Sequence, residues 1–127
     1  MQRFLALSEQ RQPLVGLDGA QLADEAVQLA QRVVGRYPQE HGFADTLGWV
    51  YYKKGLFPAA VEQLRKAVTF AANRGQDNAA YRYRLGLALI GMGDRAGARR
   101  ELEQAVRLGE RQNFAQIEDA RRALQNL

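Results

Sequence analysis

Residues 44–51 read ADTLGWVY, and residues 82–89 read RYRLGLAL. Laid one on the other, they bring Leu47-Gly48 onto Leu85-Gly86, an offset of 38. The same offset carries Gly55 to Gly93, Ala60 to Ala98, Leu64 to Leu102 and Ala67-Val68 to Ala105-Val106. Five matches at one offset, all at small or apolar positions, mark an internal repeat. Apolar residues around them fall at helical spacing, and no segment alternates with period two. The chain is therefore expected to be all-α.

Working outward, the boundaries follow from capping and breaking residues. A first helix is expected over about 19–36, with Leu22, Ala26, Leu29, Ala30, Val33 and Val34 as its apolar stripe. Asp18 suits its N-cap, Asp24 and Glu25 suit its positive end, and Pro38 follows its last turn. A second helix, about 39–54, presents Phe43, Leu47, Val50 and Tyr51, and Gly55 turns the chain after it. Pro58 opens a third, about 58–73, lined by Val61, Leu64, Ala67 and Val68. Residues 73–78 read as a loop. A fourth helix, about 78–92, carries Leu85, Leu87, Leu89 and Ile90. Asp94 caps a fifth, about 95–109, with Ala98, Leu102, Ala105 and Val106 inside. A last helix is expected to start near Asn113, with Phe114, Ile117, Ala120, Leu124 and Leu127 on one side and Glu118, Asp119, Arg121 and Arg122 in water. Gly48 and Gly86 are expected to let a partner helix approach, with Ala60 and Ala98 facing them.

The pattern resembles the tetratricopeptide repeat over about residues 41–112, through Leu47-Gly48, Tyr51, Ala60-x3-Leu64 and Ala67, and again through Leu85-Gly86, Ala98-x3-Leu102 and Ala105. Ala44 and Arg82 stand where the family opens with a large residue, and Leu89 stands for the tyrosine. The 38-residue spacing is about four longer than the family's, and the 73–78 loop absorbs the excess. The resemblance implies a right-handed α-α superhelix of about six helices. It divides the chain into an irregular segment 1–17, a half-repeat 18–40, repeats 41–74 and 79–112, and a capping helix 113–127. It also suggests a piece of a longer array, similar to the C-terminal repeats of large bacterial tetratricopeptide proteins, some of which serve envelope assembly.

By the same resemblance, the first helix of each hairpin lines a groove that holds a peptide. Its positions here are Asp45, Trp49, Tyr52, Lys53, Tyr83, Arg84 and Leu87, with Thr46 and Ile90 beside them. Trp, Tyr and Arg recur at binding hot spots because they bury large areas at modest entropic cost. The alternative for Trp49 and Tyr52 is packing against the preceding half-repeat or residues 1–17. The lysine and asparagine used by some family members to clamp an acidic chaperone tail are replaced by Asp45 and Trp49, so that specificity is not expected.

Composition narrows the chemistry. The 127 residues, 46% hydrophobic and 25% charged, suffice for one core. Without cysteine there is no disulfide, thiolate site or Cys nucleophile, and His41 is the sole histidine, read as a solvated surface residue. No enzyme, metal site or cofactor is expected. From Arg65 onward twelve Lys/Arg face seven Asp/Glu, which leaves RNA binding as an alternative, with Arg82, Arg84, Arg99, Arg100, Arg121 and Arg122 as its cations. Homo-oligomerisation is a further alternative: the half-repeat leaves its apolar face open to Phe4, Leu5, Leu7, Leu14 and Val15 or to a second copy. No transmembrane segment is expected, and the apolar run Phe4–Leu7 is too short for a signal peptide, so the compartment is left open.

Overall fold

The structure is a computed structural model that describes residues 19–127, with side chains from Asp24 onward. The readings that fall earlier, residues 1–17, the Asp18 cap and the Leu22 side chain, lie outside the described residues. Six helices follow one another: α1 (Gly19–Arg36), α2 (His41–Lys53), α3 (Phe57–Asn73), α4 (Ala79–Gly91), α5 (Arg95–Gly109) and α6 (Ile117–Gln125). No strand occurs among the described residues. Each helix packs on its neighbour in sequence, most extensively within the pairs α2/α3 and α4/α5.

The turns inside those pairs are built alike. Gly55 and Gly93 adopt φ of 79° and 80°, where a side chain would be strained. Pro58 sits in the first turn of α3, where its missing N–H costs nothing. Asp94 caps α5 by accepting from the Gly97 amide at 2.9 Å, and Asn78 caps α4 by accepting from Tyr81 at 3.1 Å.

Close approach inside each pair depends on glycine, but its counterpart is a leucine and not the alanine expected from sequence. A Cβ on Gly48 would lie 2.5 Å from Leu64 Cγ, and one on Gly86 would lie 2.7 Å from Leu102 Cγ. Ala60 and Ala98 are fully buried in the main apolar cluster instead. The leucine is the knob and the glycine the gap, because Leu64 and Leu102 are the side chains long enough to cross to the facing backbone.

Two other expectations need correction. Phe43 does not join the buried stripe of α2; it is exposed and rests against Tyr37, with ring centroids 5.6 Å apart. The buried residues there are Ala44, Asp45, Leu47 and Gly48, a face rotated towards α3 and α4. The last helix begins at Ile117, not near Asn113. Residues 110–113 form turns, and Phe114 folds back beneath Gly109, whose absent Cβ would stand 2.8 Å from the ring. Phe114, Ala79, Leu102, Ala105 and Ala120 form a second apolar cluster that seats α6 on α5. Asp24, read as a partner of the helix dipole, pairs with Lys54 and so ties α1 to the end of α2.

Gly48→Ala is expected to lower stability by about 1–3 kcal/mol through overpacking against Leu64. Gly35→Ala, where nothing lies within 4 Å of the new Cβ, is expected to raise it by about 0.5–1 kcal/mol through helix propensity. Urea denaturation of both variants checks the contrast; equal effects would refute the gap.

Candidate binding site

The seven residues singled out on the first helices divide into two groups. Asp45, Trp49, Tyr52 and Lys53 recur along α2 at spacings of four, three and one, which places them on one side of the helix. Arg84 reaches them from α4: its Nη1 donates to Asp45 Oδ2 at 2.5 Å, and its guanidinium carbon lies 5.0 Å from the Trp49 ring centroid. Lys53 Nζ stands 4.9 Å from the same centroid. Tyr52 stacks on Trp49 at 4.7 Å with the planes 6° apart, and Phe57 abuts Tyr52 at 5.7 Å. Two cations within about 6 Å of one indole each gain from its quadrupole.

The other two side chains go elsewhere. Tyr83 meets Phe114 edge-on at 5.7 Å and belongs to the cluster under α6. Burial raises its pKa, with the Asp119 charge adding to the effect, then Tyr52, while Arg122 opposes. Leu87 is half-buried in α4.

Asp45 is the buried charge of the site, 6% exposed. Its Oδ1 has no hydrogen-bond partner among the described residues. Burial pushes the carboxyl above its ordinary value of 3.8, against the pull of the Arg84 charge and hydrogen bond and of nearby His41. Arg84 thus spends one donor on Asp45, whereas Lys53 has no carboxylate partner among the described residues.

Several residues that matter here carried no signal in the sequence. His41 is not a solvated bystander. Its Nδ1 lies 3.0 Å from the Tyr81 hydroxyl and its Nε2 3.1 Å from Gln76 Oε1, so it bridges α2 to α4 and to the preceding loop. Burial raises the Tyr81 pKa, helped by the Asp45 charge and opposed by Arg84. Arg82, the unusual opening residue of the second unit, donates twice to Asp77 and once to Glu101 at 2.9–3.0 Å. The bonds to Asp77 hold it more firmly charged than a free arginine. Gln112 donates to the Asp77 carbonyl at 2.8 Å and accepts from the Ala79 amide at 3.0 Å. Together Arg82 and Gln112 pin the 74–78 loop. Apart from the Arg82–Asp77 bonds, which span five residues, these ties join side chains 19 to 40 residues apart, and no local spacing announces them.

Among the described residues no group of three or more His, Asp or Glu side chains could hold a metal ion. No described helix is long and apolar enough to cross a membrane.

A carboxyl with a raised pKa binds its proton more tightly in the folded chain than in the unfolded one. Its contribution to stability therefore grows as pH falls through the raised value, and is complete below the ordinary 3.8. The stability of the native chain minus that of Asp45→Asn, from urea melts, should rise as the pH is lowered from neutral towards that range. A pH-independent difference would contradict the assignment.

Comparison with known proteins gives a family. Residues 79–109, which span α4 and α5, match the family described as Tetratricopeptide repeat. No curated protein matches the chain. Tetratricopeptide repeats are in general a protein-interaction fold. With a second helical hairpin of the same construction stacked before the matched residues, the match and the all-helical fold together support assignment of this region to the tetratricopeptide-repeat family.

Proposed function

We propose that the chain binds a peptide or an extended segment of a protein partner on the face shared by α2 and α4, and that it catalyses nothing. One observation carries this reading: Trp49, stacked on Tyr52, is flanked by Lys53 and Arg84 on the side of α2 that faces α4. An aromatic pair beside cations presents apolar area and charge together, which is the composition of binding hot spots.

The contacts also distribute the roles. Trp49 and Tyr52 give the ligand an apolar platform. Lys53, which has no carboxylate partner among the described residues, takes an acidic group next to it. Asp45 is too buried to touch a ligand and acts by positioning Arg84 across the indole. Tyr83, packed on Phe114, and the half-buried Leu87 stand outside this platform. The sole histidine is engaged by Tyr81 and Gln76, and the chain has no cysteine, which supports binding without chemistry.

Peptides selected from a random display library on the immobilised chain supply the test. Their affinities are then measured by isothermal titration. Trp49→Ala is expected to weaken binding about tenfold or more, equivalent to about 1.4 kcal/mol. Lys53→Glu should remove a preference for acidic peptides. Arg99→Ala with Arg100→Ala, both exposed on α5, should leave affinity unchanged. Peptides whose binding ignores Trp49 and depends on the α5 arginines would sink the proposal.

A further inference from the structure

The outer side of α3 carries a groove of about 510 Å³. Pro58, Val61, Arg65, Lys66 and Phe70 line it from α3, and Met92 closes it from the turn between α4 and α5. Lys66 lies two positions beyond Leu64, so it stands about 160° around the helix from the side chain that reaches α2. Val61 is buried as a floor, Phe70 is half-buried, and Met92 is 49% exposed. The turn that bears Met92 is seated on α3 by close approach, since a Cβ on Gly91 would lie 2.5 Å from the Phe57 ring. The groove shares no lining residue with the α2/α4 face.

The hairpin itself does not require the charge found there. The 38-residue offset sets Glu103 and Gln104 of α5 at the places of Arg65 and Lys66, yet α5 packs on α4 as α3 packs on α2. Among the described residues Arg65 has no carboxylate partner, and Lys66 meets Glu62 alone, one turn back, at 3.7 Å. An exposed pair of that kind contributes little. Arg82, Arg84, Arg121 and Arg122, by contrast, each face a carboxylate.

We propose that this groove docks an acidic amphipathic helix of a partner protein. Charge complementarity selects that occupant. Val61, Phe70 and Met92 receive its apolar stripe, and Arg65 and Lys66 meet carboxylates along the edge of the stripe. Pro58 to Phe70 covers about 18 Å of α3, the length of some three turns of a partner helix. The flexible thioether of Met92 adapts to the side chains laid against it. Glu62 on the rim and the apolar floor make the groove a poorer fit for a run of phosphates. The docking does not depend on the peptide-binding reading.

The test selects random peptides of about 16 residues on the full-length native chain, then measures their affinities by isothermal titration and their helicity by circular dichroism. The proposal expects a class of acidic peptides that become helical on binding. Met92→Asp, and Arg65→Glu with Lys66→Glu, all at exposed positions, should each weaken this class at least tenfold, whereas Trp49→Ala should leave it unchanged. Peptides of the α2/α4 face would show the reverse pattern, so either site can fail without the other. Absence of a class sensitive to Met92→Asp would overturn the proposal, as would a class that is basic. So would tighter retention of the native chain on RNA or on vesicles of anionic phospholipid that is lost in the Arg65→Glu/Lys66→Glu variant. A native dimer in light scattering that Met92→Asp converts to monomer would also overturn it, since the groove would then belong to a second copy.

Discussion

The architecture depends on a leucine side chain filling the place of a missing one. Leu64 lies where a Cβ on Gly48 would stand, and Leu102 does the same at Gly86. Both leucines are entirely buried. The fit sets the separation of the two helices in each pair. It also adds to the apolar burial between them, since one fully buried leucine contributes about 1.5–3 kcal/mol. Because the same fit recurs 38 residues later, the pairs are copies of one unit, and α2 and α4 present equivalent sides. The proposed binding face, which draws on α2 and α4, rests on this equivalence.

One pair sits on the next through the apolar cluster that α3 shares with α4, and polar ties run alongside between α2 and α4: Arg84 to Asp45, and His41 to Tyr81. A carboxylate buried at 6% exposure with one oxygen unpartnered is costly, and replacing such groups by apolar ones is often neutral or stabilising. What Asp45 contributes in return is direction. It holds Arg84 at one angle over Trp49, and an arginine free in solvent would sample many. Arg82 does comparable work on the other side of α4. It fastens the long 74–78 loop through Asp77 and reaches Glu101 on α5. The extra length of the repeat is thus held by a charged residue where the family uses a bulky one.

The sequence disclosed the helices because their signals are local. Glycines at Gly55 and Gly93, the cap at Asp94, and apolar spacing each act within a turn or two of the chain. The bounds of α5 could be read without coordinates for that reason. Phase was less legible. Phe43 and Leu47 are both apolar and one turn apart, yet only the second is buried, because the crossing of α2 on α3 is a tertiary fact. Phe114 misled similarly. It fits a helical stripe with Ile117, but the cradle at Gly109 holds it before α6 begins. At the binding face, Trp49, Tyr52 and Lys53 were visible as one side of a helix. The pairing of Arg84 with Asp45 and the involvement of His41 were not, since they join residues about 40 positions apart.

That pairing decides what the face offers. Listed by residue type, Lys53 and Arg84 appear as two equivalent cations beside an indole. In the folded chain they differ, since Arg84 already faces a carboxylate and Lys53 has no carboxylate partner among the described residues. Much of the field of Arg84 is therefore offset locally, and its guanidinium serves as a flat, oriented surface against Trp49. Lys53, on a flexible stem at the end of α2, keeps its full charge for an incoming group. A ligand that met the proposed face would find an apolar platform at its centre and, at one edge, the positive charge of Lys53, which no described carboxylate pairs. Under the proposed function, the polarity of that arrangement would set the direction in which a peptide with one apolar and one acidic side chain lies along α2.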